Sequence, residues 1–314
     1  MAYVNTDTSG FSALVQDLVL AKAESELRAR LVHANPDAYV HGRFVKGTNQ
    51  IRHARYSDLG ADATPLDEGV PPTSQSMVIS SDAFSAVQYG QTLSITDLAQ
   101  LDSPHDLISI ASDRLARQAA ETMDLVVRDV LAAGTNVVYA NGGANRADLV
   151  KADKITGELV KKTVAALKAA NVPSFADGTY RCIIHPFQEY DLISDTTANG
   201  WLEANKYVDN TPLITGEIGK FAGVRFVVSS NAKTWANAAD DGSDVFSAHF
   251  FGPDSYTVGD SQTLQAYFTA PGGDHSDPLA QMAVAGWKMR FGAKILDLAG
   301  PKYLRLETGA TLSA

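Results

Sequence analysis

The chain has 314 residues, a formal net charge of −10 and a sequence pI near 5.1. With 45% hydrophobic and 20% charged residues it is composed as a globular protein and not as a disordered one. The acidic balance argues against a dedicated nucleic-acid binder held by phosphate contacts, and no apolar run is long enough to cross a bilayer as a helix.

The length exceeds that of a usual single domain, so two or three subdomains are expected. The first residues, MAYVNTDTSGF, have neither a basic start nor an apolar core. A secretory signal is therefore not expected, and the chain is expected to be made and kept in the cytoplasm of its producing cell. Residues 11–31 then place Phe11, Leu14, Val15, Leu18, Leu27 and Leu31 at helical spacing, and Asn35-Pro36 stops the run. This helix comes before any evident core. It fits an arm that packs on a neighbour and equally a first core helix.

From about residue 36 to residue 103 the pattern is strand-like. YVHGRFVKG and QIRHARYSDL read as strands, and alternation returns in MVISSDAFSAVQYGQTLSITD. Between them lies TPLDEGVPP, residues 64–72, where Pro65, Gly69, Pro71 and Pro72 break regular structure. Two strands joined at a distance make a ribbon that is marginal alone in water. Its cover is either this chain's own core or another subunit.

The clearest helix follows. Ser103 reads as its N-cap, Pro104 as its first residue and Asp106 as its early acid. Ile108, Ala111, Leu115, Ala119, Met123, Val126 and Val130 share one face, and Gly134 reads as the stop. That makes about 30 residues, roughly 45 Å, which suits a structural spine. A second helix is expected from Thr156 to about Ala170, ended by Asn171 and Pro173. YRCIIHP, GVRFVVSS and SAHFFG read as strands, with a short helix in PFQEYDLISD and a polar tip in WANAADDGSD. Helices and short strands mixed in this way make one α/β subdomain, about 155–262. Near the C-terminus, GWKMRFGAKIL alternates apolar residues with Lys288, Arg290 and Lys294, which is a half-buried strand. KYLRLET repeats that pattern after Gly300-Pro301.

Signatures of chemistry are sparse. HExxH, paired CxxC, Walker and GxSxG motifs do not occur. GEIGK, residues 216–220, lacks the spacing of a phosphate loop. Cys182 is the single cysteine, so no intrachain disulfide is possible, and its RCIIHP setting fits a buried structural thiol better than a nucleophile. His185 stands three residues on, and on a strand that spacing points the two side chains to opposite faces. His185 fits the end of the strand and the start of a helix. Asp274, His275 and Asp277 could offer metal ligands but fit a capped turn better. Asp240, Asp241 and Asp244 lack the full calcium-loop pattern and fit a solvated tip. No catalytic, cofactor or metal residue is assigned. Trp287, Phe291 and Tyr303 sit in strand patterns that suggest core.

The order of parts resembles the major capsid proteins of tailed double-stranded DNA bacteriophages, with the Hong Kong 97 (Johnson) fold. The resemblance spans nearly the whole chain. It rests on TPLDEGV, QYGQTLSITD, RLARQAAETMDLVVRDVLAAG, IIHPFQEYDLISD, GEIGKFAGVRFVVSSNAK and DPLAQMAVAGWKMRFGAKIL, in that order. It implies an α+β fold with an N-terminal arm at 1–35 and an extended E-loop region at 36–103. A P-domain would comprise the spine helix and linker at 104–154 and the C-terminal strands at 263–314, around an A-domain at 155–262. It implies a structural subunit and not an enzyme, in homo-oligomeric pentamers and hexamers. These would enclose double-stranded DNA without sequence-specific binding, in a virion capsid assembled in the host cell cytoplasm. Scaffolding, portal and decoration proteins are candidate partners; no cofactor and no membrane are implied. Subunit contacts are expected at Phe11, Leu14 and Leu18 of the arm. In the E-loop region they are expected at Pro65, Leu66, Glu68, Gly69, Val70, Pro71, Met77 and Ile79. Hinges are expected at Gly60, Gly69, Gly90 and Gly142-Gly143. Some family members cross-link lysine to asparagine, but Lys46 has no matching partner or catalyst here, so that trait is not carried over. Because the arm begins almost at once, no fused scaffolding segment is expected. The alternatives are an encapsulin-type compartment shell, an α+β enzyme using Cys182 and His185, and a carbohydrate-binding or adhesion module.

Overall fold

The computed structural model describes residues 31–35, 38–44, 49–56, 59–66, 68–69, 71–195, 217–271, 279–296 and 302–313. The arm helix with Phe11, Leu14 and Leu18, together with Lys46, Val70, Asp274, His275 and Asp277, lies outside the described residues.

The described chain opens with three short strands, β1 (Val40–His41), β2 (Arg43–Phe44) and β3 (Gln50–Tyr56). β4 (Ile79–Ser85) and β5 (Val87–Thr96) follow, then α1 (Asp97–Asp102) and α2 (Leu107–Ala132). After β6 (Val137–Tyr139) come α3 (Gly157–Ala169), β7 (Tyr180–Ile184) and α4 (Pro186–Ile193). The remaining strands are β8 (Glu217–Phe221), β9 (Val224–Val228), β10 (Thr234–Trp235), β11 (Val245–Phe251), β12 (Tyr256–Thr269), β13 (Met282–Ile295) and β14 (Tyr303–Thr308).

The strands form three sheets. One has the order β1-β12-β13-β5, a second β6-β14-β11-β7-β9-β8 with β10 beside β11, and the third β2-β3-β4. Helices and sheets are thus mixed in the α+β manner expected. The stretch from Met77 to Asp97, read as one resumed alternation, is two strands that part at Ala86. β4 pairs back on β3, while β5 runs antiparallel to β13 from Val87↔Phe291 to Thr96↔Met282. β14 also departs from expectation. It is not a second half-buried strand beside β13 but a buried one, between the parallel β6 and the antiparallel β11. Arg305 and Glu307 are buried with the rest of it.

α2 is the spine, and its start differs from the sequence signal. The N-cap is Asp106, whose carboxylate accepts from the Ile108 and Ser109 amides at 3.1 and 3.3 Å. Ser103 instead closes a turn, its hydroxyl accepting from the His105 amide at 3.2 Å. The helix therefore has 26 residues, and the preceding α1 is separate, capped by Thr96. Ala111, Leu115 and Ala119 face the core as expected, but the second half of the stripe runs through Asp124, Val127 and Leu131. Met123, Val126 and Val130 are only half-buried. Gly134 is not a left-handed cap. A Cβ there would lie 2.9 Å from Ile295 Cδ1 and from Tyr303 Cε1, so glycine is required by the close approach of β13 and β14. α3 keeps the expected caps, Thr156 before it and Asn171 beyond it at φ 53°.

Two main cores result. Leu115, Ala119, Val127 and Leu131 of α2 pack against Trp287, Met289 and Phe291 of β13. The alternation read in β13 places Trp287, Met289 and Phe291 inward, as expected. Val160, Val164 and Leu167 of α3 pack with Cys182, Phe226 and Phe250 on the seven-stranded sheet. The two cores meet at the end of α2. There the Tyr303 hydroxyl donates to Leu131 O at 2.8 Å, and Arg305 donates to the carbonyls of Ala132 and Gly134. Glu307, buried, accepts two bonds of 2.7 Å from Arg146 and lies 2.8 Å from Arg305 Nε as a charge contact.

Removing one member of a buried charged group strands the others, which costs about 3–5 kcal/mol. Arg305→Ala is expected to lower the urea midpoint of unfolding accordingly. Lys233→Ala, which breaks only the half-exposed pair with Asp129 at 3.0 Å, is expected to cost about 0–1 kcal/mol. Equal midpoints for the two variants would refute this ranking.

Candidate assembly surfaces

The β3–β4 hairpin is rooted in the body of the protein at one end only. Its register runs from Gln50↔Ser85 at the base to Tyr56↔Ile79 at the far end. At the base, Ile51 is fully buried against Gly42 and Gly259, where added Cβ atoms would lie 2.5 and 2.6 Å from its Cγ2. The Phe84 ring packs over Gly292. Lys294 Nζ reaches Asp82 Oδ1 at 3.0 Å, and Arg290 bonds Asn49 and the Ala86 carbonyl. The basic face of β13 is thus used to hold the hairpin's root.

Between Tyr56 and Ile79, in the segment that contains TPLDEGVPP, no helix or strand occurs among the described residues. Gly69 turns with φ at 80°, a value that favours glycine. Asp62 accepts from the Thr64 amide at 3.0 Å. Of the residues singled out from sequence, Pro65, Leu66, Glu68, Gly69, Pro71, Met77 and Ile79 are all exposed. Leu66 is 74% exposed and Ile79 64%. Tyr56, Leu59 and Val78 add to the exposed apolar surface here. An apolar surface of this extent on a segment without its own core is characteristic of a contact site.

A second exposed apolar group lies at the opposite end of β5, and the sequence reading missed it. Leu98 and Leu101 of α1 stand three residues apart, Leu101 at 80% exposure, and no residue of α1 is buried. The Asp97 amide donates to Gln281 O at 2.9 Å, which sets α1 beside the exposed Leu279 and Met282. The available signal was Thr96 as a cap followed by Leu98 and Leu101 without a third apolar turn. β5 has 10 residues, so at ~3.3 Å per residue about 30 Å separates the hairpin's root from this patch. The expected hinge at Gly90 lies between them and is held: a Cβ there would meet Trp287 O at 2.7 Å.

The residues weighed for chemistry have structural work. Cys182 is fully buried and burial pushes its thiol well up, the opposite of an activated nucleophile. His185 caps α4, its Nδ1 accepting from the Phe187 amide at 3.1 Å, and burial lowers its imidazole. Of GEIGK, Glu217 to Lys220 lie in the edge strand β8, with a register shift between Glu217 and Gly219, and Gly216 lies outside the described residues. Asp241 accepts from the Ser243 hydroxyl at 2.6 Å, the Lys151 amide at 2.8 Å and the Ser243 amide at 3.0 Å. These bonds hold its carboxyl at about 2. Asp244 accepts from the Asn237 amide at 3.0 Å. The acidic tip is a set of turn acceptors, and no group of three metal-ligating side chains occurs among the described residues.

The family profile described as phage capsid protein matches residues 81–302, well over half of the chain. The fold is similar to that of the capsid of Ralstonia phage GP4, with 16% identity and a TM-score of 0.68 over 88% of this chain and 86% of that one. It is similar to the Cyanophage Pam1 capsid at 13% identity, with a TM-score of 0.69 over 90% and 93%. The head structure of Helicobacter pylori bacteriophage KHP40 matches at 12% identity and a TM-score of 0.61 over 85% of each chain. At these identities the likeness is one of fold. No curated protein sequence matches the chain. The spine helix between two sheets, the rooted hairpin and the family match converge on one conclusion: the chain belongs to the phage capsid protein family and is a major capsid protein of the Hong Kong 97-like fold, a structural subunit of an icosahedral capsid.

Proposed function

We propose that this subunit assembles into pentamers and hexamers that close into a shell around double-stranded DNA, in the host cell cytoplasm, without reading DNA sequence. The observation that carries this reading is the hairpin whose root is packed and whose far end exposes Leu66, Met77 and Ile79. Each such side chain contributes about 1.5–3 kcal/mol when fully buried, less the cost of ordering the segment. One contact is then modest, and closed symmetry repeats it many times. The acidic chain suits a container, since a wall that held phosphate tightly would oppose packing and release.

The contact set comprises Phe11, Leu14 and Leu18 of the arm, and Pro65, Leu66, Glu68, Gly69, Val70, Pro71, Met77 and Ile79 of the hairpin. The arm is residues 1–35 and the axial A-domain is centred on 155–262. Two of the remaining divisions are proposed with a change that strand pairing supports. β5 pairs with β13, so the peripheral P-domain takes it from the E-loop region 36–103. β14 pairs with β11, so the A-domain takes it from the C-terminal segment 263–314. Leu98 and Leu101 offer a further contact at the far end of the P-domain sheet. Scaffolding, portal and decoration proteins are partners of the assembled shell and not of an enzymatic site.

Purified full-length protein is expected to give rings and closed shells in negative-stain electron microscopy, alone or with a co-expressed scaffold. Deleting residues 60–75 is expected to abolish shells while thermal unfolding of the subunit changes little. Shells of normal yield from the deletion variant, or a lasting monomer of the parent chain at high concentration, would sink the proposal. Leu66→Glu and Leu101→Glu each change the stability of the isolated subunit by less than about 0.5 kcal/mol, as exposed positions do. Both are expected to raise the protein concentration needed for assembly. Cys182 is expected to resist thiol reagents until the subunit unfolds; rapid labelling of the native protein would revive a reactive thiol.

A further inference from the structure

Two buried histidines meet where α2 joins both the seven-stranded sheet and the segment before β1, and the shell role gives them no task. His33 and His249 are fully buried, and their rings lie edge to face with centroids 5.8 Å apart. His33 Nδ1 bonds Asp124 Oδ2 at 2.9 Å, and its Nε2 is buried with no hydrogen-bond partner. Asp124 Oδ1 also accepts from the consecutive amides of Val32, His33 and Ala34 at 2.9, 2.7 and 3.3 Å. On the other side, His249 Nδ1 lies 2.5 Å from the Tyr303 hydroxyl, which itself donates to Leu131 O. His249 Nε2 lies 3.1 Å from Ser247 Oγ. The Tyr256 hydroxyl donates to His33 O at 2.7 Å. The pair therefore connects residues 32–34, the middle and the end of α2, and strands β11, β12 and β14.

The charges around it are unequal. Asp124 is the one carboxylate bonded to the pair among the described residues. Arg128 of α2 and Arg305 of β14 act on His249, and Arg181 of β7 acts on the adjoining Tyr256. Arg128 is paired with Asp129 and Arg305 with Glu307, so Asp124 is left as the counterion beside His33. A proton added to His249, 5.8 Å from the His33 ring, would bring a charge with no carboxylate bonded to it among the described residues.

We propose that His33 and His249 form an acid-sensitive joint, closed while the His249 ring is neutral and opened when that ring takes up a second proton. Opening frees residues 32–34 from Asp124 and loosens the end of α2 from β14.

The direction with pH follows from His249. Burial, then the charges of His33, Arg305 and Arg128, hold its imidazole well below the usual range. In an open state it would titrate near 6.5. Its contribution to the closed state is therefore fully present above about pH 6.5 and falls as the pH drops below that value. The closed-to-open ratio is lost by up to about tenfold per pH unit, the slope for one proton. Asp124 acts in a more acidic window. Burial pushes its carboxyl up, but the His33 ring and the backbone amides outweigh that and hold it below the usual carboxylate range.

The test is hydrogen–deuterium exchange on the unassembled full chain at pH 7.5 and 5.5, corrected for intrinsic exchange. It reads the joint whether or not the subunit builds shells. Protection of the Val32, His33 and Ala34 amides is expected to fall about tenfold at the lower pH, while that of the α3 amides stays constant. His249→Phe is expected to abolish the difference. Equal protection at both pH values, or an unchanged response in His249→Phe, would overturn the joint. Should His249→Phe fail to fold, imidazole-labelled NMR of the parent chain decides. A neutral His249 down to pH 5.5 in the closed form supports the joint, and an ordinary titration near 6.5 with no loss of protection refutes it.

Discussion

The fold turns on how the end of α2 is held by β14. An α-helix ends with carbonyls that lack partners inside the helix. Here Arg305 and Tyr303 supply them, and Glu307 and Arg146 hold Arg305 in turn. The first part of the same helix packs on the four-stranded sheet through Leu115 and Ala119. One rigid rod of 26 residues thus fixes the two sheets relative to each other, and its buried charged end leaves little freedom in that relation. The glycine at 134 belongs to this constraint, since a side chain there would push β13 and β14 away from the helix end.

Against this rigid frame the hairpin is arranged differently. Its root is fastened by a buried isoleucine, an aromatic ring over a glycine and two basic residues of β13. Its far end has proline, glycine and exposed apolar side chains with little of its own to bury them. A subunit in a shell needs contacts strong enough to add up and weak enough singly to be corrected during growth. A firm root with a bare end meets both demands. The separate exposed patch on α1 lies some 30 Å along β5 by strand length, so a contact proposed there would not compete with one at the hairpin.

Polar residues inside the protein were the part least visible in the sequence. Asp124 interrupts the apolar stripe of α2, and a reading by hydropathy moves the stripe aside to Met123, Val126 and Val130. In fact the carboxylate faces inward because three backbone amides and a histidine ring satisfy it. Arg305 and Glu307 likewise look like the outer face of a half-buried strand. They are buried because their partners, Arg146 and the last carbonyls of α2, stand about 160 to 170 residues away in sequence. Local pattern carries no information about partners at that range.

The sequence by itself determined the local elements: the spine and its first apolar half, α3 with its caps, the inward face of β13, the strand-to-helix turn at His185, and the break at TPLDEGVPP. These depend on residue periodicity, proline and glycine, which act within a few residues. The order of those elements was enough to resemble a capsid family. Only the tertiary structure decided which sheet each strand joins. β5 left the ribbon for β13, and β14 entered the other sheet, because strand pairing is settled by backbone hydrogen bonds and burial between segments distant in the chain. The same holds for the exposed apolar surfaces. Proline and glycine marked the segment, but that its apolar side chains stay bare while its root is packed follows from what the rest of the fold places around it.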